Sequence, residues 1–136
     1  MTSTNLTGHR ILITGSTRGI GKATAVICHA NGAHVAICGR TEQDLAAMQT
    51  ELTGQGEVIA MTTDISQDED RQHLLDVILD KWGGLDGLVN NAGINIDNLS
   101  LRMKDDEWKK VININLTSTF LLTKYAIKKM LKNKYG

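Results

Sequence analysis

Four short runs of nearly continuous apolar residues punctuate the chain, each flanked by glycine or small polar residues. They read RILIT (residues 10–14), AHVAIC (33–38), GEVIAMTTD (56–64) and LDGLVNNAG (85–93). Runs with so little polar alternation suit strands buried on both faces. Between them lie stretches of helical periodicity at 19–31, 41–53 and 67–82. The third is preceded by Ser66 in the capping position and carries Asp68, Glu69 and Asp70 in or near its first turn. Hydroxyl caps and early carboxylates both favour a helix N-terminus. Strands alternating with helices of this length imply parallel strands joined by crossovers, hence an open α/β sheet in one domain over 1–136.

The last periodic element is long, running from about Asp106 to Asn133. Its apolar positions extend from Trp108 and Val111 through Leu116 and Phe120 to Ile127 and Leu131. That stripe is wider than packing on one sheet requires, which leaves two readings open: a face against another subunit, or a deeply buried helix. At Gly136, where the sequence stops, an α/β protein is expected to begin its next strand.

Charge changes the picture at one end. Lysine plus arginine and aspartate plus glutamate balance at 15 each, but nine of the basic residues lie from Arg102 onward, against three acidic ones. The result is an acidic body with a basic end. Aromatics are few, at 4%, and no basic stripe occurs elsewhere, so nucleic acid is not an expected partner. Cys28 and Cys38 sit in apolar surroundings without metal-type spacing and read as reduced core thiols, so no metal is expected. MTSTNLTGHR lacks the apolar core of a signal peptide and no run is long enough to span a membrane, so the expected location is cytoplasmic.

Candidate chemistry begins with ITGSTRGIGKA between the first strand and first helix. Gly15, Gly19 and Gly21 permit a tight turn and close backbone approach to a pyrophosphate resting on the helix N-terminus. The bland alternative is a purely structural turn. At the end of the second strand, where an acidic residue would hold a ribose 2′-hydroxyl, this chain has Arg40, with Arg18 in the glycine loop. The bland alternative for each guanidinium alone is a solvated surface charge; together they favour the 2′-phosphate of NADP(H).

Thr14-Gly15-x-x-x-Gly19-Ile20-Gly21, Asp64, Asn90-Asn91-Ala92-Gly93 and Asn115, in that order, resemble the short-chain dehydrogenase/reductase family. The resemblance covers essentially the whole chain and implies a Rossmann-type doubly wound parallel sheet, truncated here after the fourth strand and the following long helix. Asp97-Asn98-Leu99, Arg102-Met103-Lys104 and Trp108 are similar to the bacterial 3-oxoacyl-(acyl-carrier-protein) reductases. By that resemblance Gly15, Thr17, Arg18 and Ile20 line the pyrophosphate, Asp64 and Ile65 meet the adenine, and Asn91, Ala92 and Gly93 flank the adenosine ribose and the site floor. Asn115 corresponds to the active-site asparagine of a proton relay. Structural alternatives stand beside these roles: Asp64 as a cap, and Asn90-Asn91 as backbone satisfiers after the fourth strand. Lys128, Lys129, Lys132 and Lys134 resemble the region where such reductases dock acyl carrier protein, and read equally as a solvated helix face. A homo-oligomer is also implied.

Tyr125 and Lys129 share the Tyr-x-x-x-Lys spacing of the family's proton-donating pair. No strand carrying a serine precedes them. Tyr125 also lies ten residues beyond Asn115, which on one helix is ~15 Å along the axis, too far for relay partners. The pair is read as coincidence, with the matching serine, tyrosine and lysine expected beyond Gly136. The leading expectation is the N-terminal half of an NADPH-dependent 3-oxoacyl-(acyl-carrier-protein) reductase of fatty-acid synthesis. The rivals are a catalytically incomplete nucleotide-binding fragment and a short-chain reductase of another ketone or alcohol.

Overall fold

The computed structural model describes residues 4–136; the part of the N-terminal reading that rests on Met1–Ser3 lies outside the described residues. Strands β1 (Arg10–Ile13), β2 (His34–Gly39), β3 (Val58–Thr62) and β4 (Gly87–Val89) form one sheet in the order β3-β2-β1-β4. Every pairing is parallel: Leu12 of β1 stands opposite Ala36 of β2 and Leu88 of β4. Helices α1 (Gly19–Ala30), α2 (Glu42–Thr50) and α3 (Asp68–Trp82) connect successive strands. After β4 come α4 (Asp105–Ile112), a π-helical turn (Asn113–Thr117) and α5 (Ser118–Asn133).

The near-continuous apolar strands are explained by two cores, one on each face of the sheet. On one face Ile13, Val35 and Ile37 pack with Ala25 of α1 and with Leu45 and Met48 of α2. On the other, Leu12, Ala36, Cys38 and Ile59 meet Leu74 and Ile78 of α3 and Leu122 and Ala126 of α5. Successive side chains of a strand point to opposite faces, so adjacent residues such as Leu12 and Ile13 serve different cores. Each fully buried leucine or isoleucine contributes about 1.5–3 kcal/mol. The sheet is therefore doubly wound, as the sequence implies.

One ion pair secures the end of the sheet away from the strand C-termini. The Asp86 carboxylate accepts from Arg10 Nε at 2.8 Å, Arg10 Nη2 at 2.6 Å and the Arg10 backbone N–H at 2.8 Å. Arg10 Nη1 also donates to the Trp82 carbonyl at 2.9 Å, so β1, the end of α3 and the entry to β4 meet at a single guanidinium.

Three local readings change. Ser66 is not the cap of α3; the helix starts at Asp68 behind an extended Gln67. Ser66 instead gives its backbone N–H and hydroxyl to Asp64 Oδ1, at 3.0 and 2.7 Å, closing a side-chain-built turn that competes with capping. The fourth strand pairs only over Gly87–Val89; from Asn90 onward polar groups go to Thr123 on α5 and to the Thr14 hydroxyl just past β1 rather than to the β1 backbone. The long final helix contains the π-helical turn, where the Ser118 N–H donates to the Asn113 carbonyl five residues back. Its apolar stripe follows neither reading alone: Leu122 and Ala126 are buried, while Leu116, Phe120, Ile127 and Leu131 are exposed.

Candidate functional site

At the C-terminal ends of the strands the β1 neighbours diverge, β2 and β3 to one side and β4 to the other. Open α/β sheets bind ligands at such a reversal. A cavity of about 700 Å³ lies there. The β1–α1 loop supplies Gly15, Thr17, Arg18, Gly19 and Ile20. The end of β2 and its loop supply Cys38, Gly39, Arg40, Thr41 and Asp44. Thr63, Asp64 and Ile65 come from the segment after β3, and Asn91, Ala92, Gly93 and Ile94 from the segment after β4. Ile114, in the π-helical turn, completes the wall.

The glycine loop is built for close approach. Gly15 has φ +61°, and a Cβ there would stand 2.9 Å from Ala92 Cα. Gly21 does not line the cavity; its lack of a side chain serves packing beneath the loop. A Cβ at Gly21 would stand 2.4 Å from both the Gly15 carbonyl oxygen and Asn91 Nδ2. No side chain caps α1 at extended Arg18, so the first-turn N–H groups keep their capacity for an anion at the cavity. These features fit a dinucleotide pyrophosphate.

Asn91 satisfies backbone groups and also faces the cavity. Its Nδ2 donates to the carbonyls of Thr14 and Gly15, at 3.0 Å each, while the residue also lines the cavity. Asn90 is a connector, giving Nδ2 to Thr123 Oγ1 on α5. Thr14 is a scaffold residue that sequence reasoning did not single out as part of the site. Its buried hydroxyl accepts the N–H groups of Asn91 and Ala92 at 3.0 and 2.9 Å. Ser16 does the same for β2, donating to the Ile13 carbonyl and accepting the Cys38 N–H. Both buried hydroxyls lie immediately after β1, and that position was the available signal.

Electrostatics divide the cavity. The Ser66 hydroxyl holds the Asp64 carboxyl below its usual range against the opposing effect of burial, assisted by the positive charge of Arg40. Asp64 is thus an anion at neutral pH. Arg40 is exposed and faces the same space, near Asp44, whose carboxylate accepts the Thr41 hydroxyl at 2.5 Å. Burial pushes the Cys38 thiol up to about 11, which makes it a wall rather than a nucleophile. Among the described residues no group of three or more His, Cys, Asp or Glu could hold a metal ion.

Asn115 stands one residue behind the wall and is not part of the lining. Its Nδ2 donates to the Ile94 carbonyl at 2.7 Å and its Oδ1 accepts the Ile94 N–H at 2.8 Å. This two-way pairing fixes the backbone that carries Gly93 and Ile94 into the cavity. Tyr125 faces elsewhere: its hydroxyl accepts Gln72 Nε2 of α3 at 3.2 Å, and Lys129 is exposed. Neither lines the cavity.

The short chain dehydrogenase family model matches residues 9–136, and the chain belongs to that family. It is 43% identical to a 3-oxoacyl-(acyl-carrier-protein) reductase of Synechocystis sp., across 98% of this chain and 55% of that protein. The corresponding reductase of Rickettsia conorii is 42% identical, across 97% of this chain and 52% of its own. Among solved structures, levodione reductase superposes with a TM-score of 0.92 at 29% identity, covering 97% of this chain and 53% of its own. A short-chain type dehydrogenase/reductase from Mycobacterium marinum gives 0.91 at 32% identity, covering 97% and 54%. The chain therefore spans about half the length of the curated relatives it matches.

Proposed function

We propose that this chain is the cofactor-binding half of an NADPH-dependent 3-oxoacyl-(acyl-carrier-protein) reductase. The observation that carries the reading is the cavity at the strand reversal, where the glycine loop, Arg40 and Asp64 meet in a chain 43% identical to a reductase of that name. Gly15, Thr17, Arg18, Gly19 and Ile20 hold the pyrophosphate, with Gly21 permitting the loop to pack. Arg40 and Arg18 hold the 2′-phosphate, Asp64 and Ile65 the adenine, and Asn91, Ala92 and Gly93 the ribose side. The nicotinamide supplies hydride chemistry when bound; Asn115 holds the Gly93–Ile94 backbone in register beside it.

Lys128, Lys129, Lys132 and Lys134 are all exposed, which supports docking of an acidic carrier protein near the end of α5. The exposed side of the π-helical turn and α5 formed by Leu116, Phe120, Ile127 and Leu131 supports burial against a second copy. Among the described residues no helix is long and apolar enough to cross a membrane, in keeping with work in the cytoplasm.

The test is equilibrium binding of NADPH and NADH to the purified chain. The Arg40→Asp variant is expected to lose about tenfold or more in NADPH affinity, the scale of one charge-assisted contact, with NADH little affected. Equal losses for both nucleotides would refute the assignment of Arg40. A second reading, a nucleotide-binding fragment without turnover, is favoured by the half-length match and by Tyr125 being engaged with Gln72. It predicts no reduction of a 3-oxoacyl thioester by this chain alone, and measurable turnover would eliminate it.

A further inference from the structure

Arg71 is an arginine placed in a core. It is 3% exposed and sits on α3, four residues before buried Leu75 and three before buried Leu74. Its Nη1 donates to the carbonyl of Ile65 at 2.7 Å and its Nη2 to Asp68 Oδ1 at 3.1 Å; its buried Nε has no partner. Its carboxylate partner is half exposed, so the pair does little to offset the cost of burying a guanidinium, and an apolar side chain of the same length would serve packing as well or better. What an apolar side chain cannot supply is the donor beneath the Ile65 carbonyl.

The same loop is held from a second side. Asn113, the first residue of the π-helical turn, gives Nδ2 to the Ser66 carbonyl at 3.1 Å. The Asp64 N–H is taken by Asp70 Oδ2 at 2.7 Å, and the Asp64 carboxylate by Ser66. Consecutive carbonyls of Ile65 and Ser66 are thus clamped by an α3 side chain and a side chain from the turn preceding α5, while Asp64 and Ile65 form the cavity wall. Fixing a wall before the ligand arrives lowers the ordering cost of binding.

We propose that Arg71 and Asn113 are positioning residues that set the adenine end of the cavity without touching the ligand. This rests on the dinucleotide reading above, and the two can fail separately. The experiment measures binding of NADPH and of adenosine 2′,5′-bisphosphate to wild type, Arg71→Met, Arg71→Lys and Asn113→Ala by calorimetry, alongside each thermal midpoint. Arg71→Met is expected to keep or raise the midpoint yet bind both ligands about tenfold more weakly, the loss of one charged hydrogen bond. Arg71→Lys, which keeps one donor, recovers part of the affinity, and Asn113→Ala weakens both ligands in the same direction. A merely structural arginine would lower the midpoint and leave the affinity of the folded fraction unchanged. Wild-type binding with Arg71→Met within twofold of it overturns the proposal and leaves the dinucleotide reading standing. If Arg71→Met does not fold, Asn113→Ala decides, and affinity within twofold of wild type overturns the clamp. Failure of wild type to bind either ligand overturns both.

Discussion

Gly21→Ala is expected to reduce dinucleotide affinity at least about a hundredfold and to destabilise the fold by about 2–3 kcal/mol, the range of overpacked cores. The added methyl would meet two atoms at 2.4 Å, the Gly15 carbonyl oxygen and Asn91 Nδ2. Neither can step aside cheaply. Gly15 is at φ +61° with its own Cβ direction closed by Ala92, and the Asn91 amide is held by two carbonyls. Relief must therefore move the β1–α1 loop away from the Asn91–Gly93 segment, opening the pyrophosphate cradle itself. Ala25, one turn further along α1, makes a suitable control as Ala25→Gly, which removes a methyl from the same helix without touching the loop. The measurements are NADPH binding and a urea midpoint for each. Full-affinity binding by Gly21→Ala would show that the loop is not the cradle.

Asp86→Asn is expected to cost about 2 kcal/mol at neutral pH, the scale of losing charge from a hydrogen-bonded, largely buried carboxylate. Its side chain is only 5% exposed, and the paired Arg10 side chain 25%. The sign of the pH dependence follows from the direction of the shift. The Arg10 hydrogen bonds hold Asp86 below its usual carboxylate range, outweighing burial, which acts the other way. A carboxyl whose folded value is depressed stabilises the fold above its unfolded value of about 3.9, and loses that contribution as pH falls further. Wild type should therefore weaken on acidification below about pH 4, and Asp86→Asn should weaken less steeply. Asp64 is depressed in the same direction by Ser66, so a residual acid slope remains in the variant. Identical slopes in urea midpoints between pH 7 and pH 3 would show that the Arg10–Asp86 pair is not the linkage.

The strands, the crossover helices and the glycine loop were legible because their signals are local. Apolar runs such as RILIT and AHVAIC admit few other readings, and the Gly15–Gly21 spacing reports backbone demands directly. The lining of the cavity was legible where it sits just past strand ends, as with Asp64, Ile65 and Asn91. What escaped were contacts made across the fold. Thr14 and Ser16 matter through bonds to segments 75 and 22 residues away. Asn115 corresponds by resemblance to a proton-relay asparagine, yet its side chain is spent on Ile94, and Gly21 works by absence of bulk behind the wall. Ser66 was misread because a capping hydroxyl and a turn-closing hydroxyl look alike until Asp64 is seen to take it. The π-helical turn left no periodicity signal because it adds only one residue to an otherwise regular helix.

That single extra residue makes chain length a form of information. Each residue of an α-helix advances the spiral by about 100°, and the wide turn at Asn113–Thr117 absorbs one of them, so deleting one position there would restore ordinary winding and leave Leu122 and Ala126 against the sheet. A deletion just beyond the turn, at Thr119, has no such slack: it would put Thr123 and Ile127 where Leu122 and Ala126 stood. Loss of a codon is thus absorbed at the turn, whereas a few residues later it rewrites which surface of α5 the rest of the molecule sees.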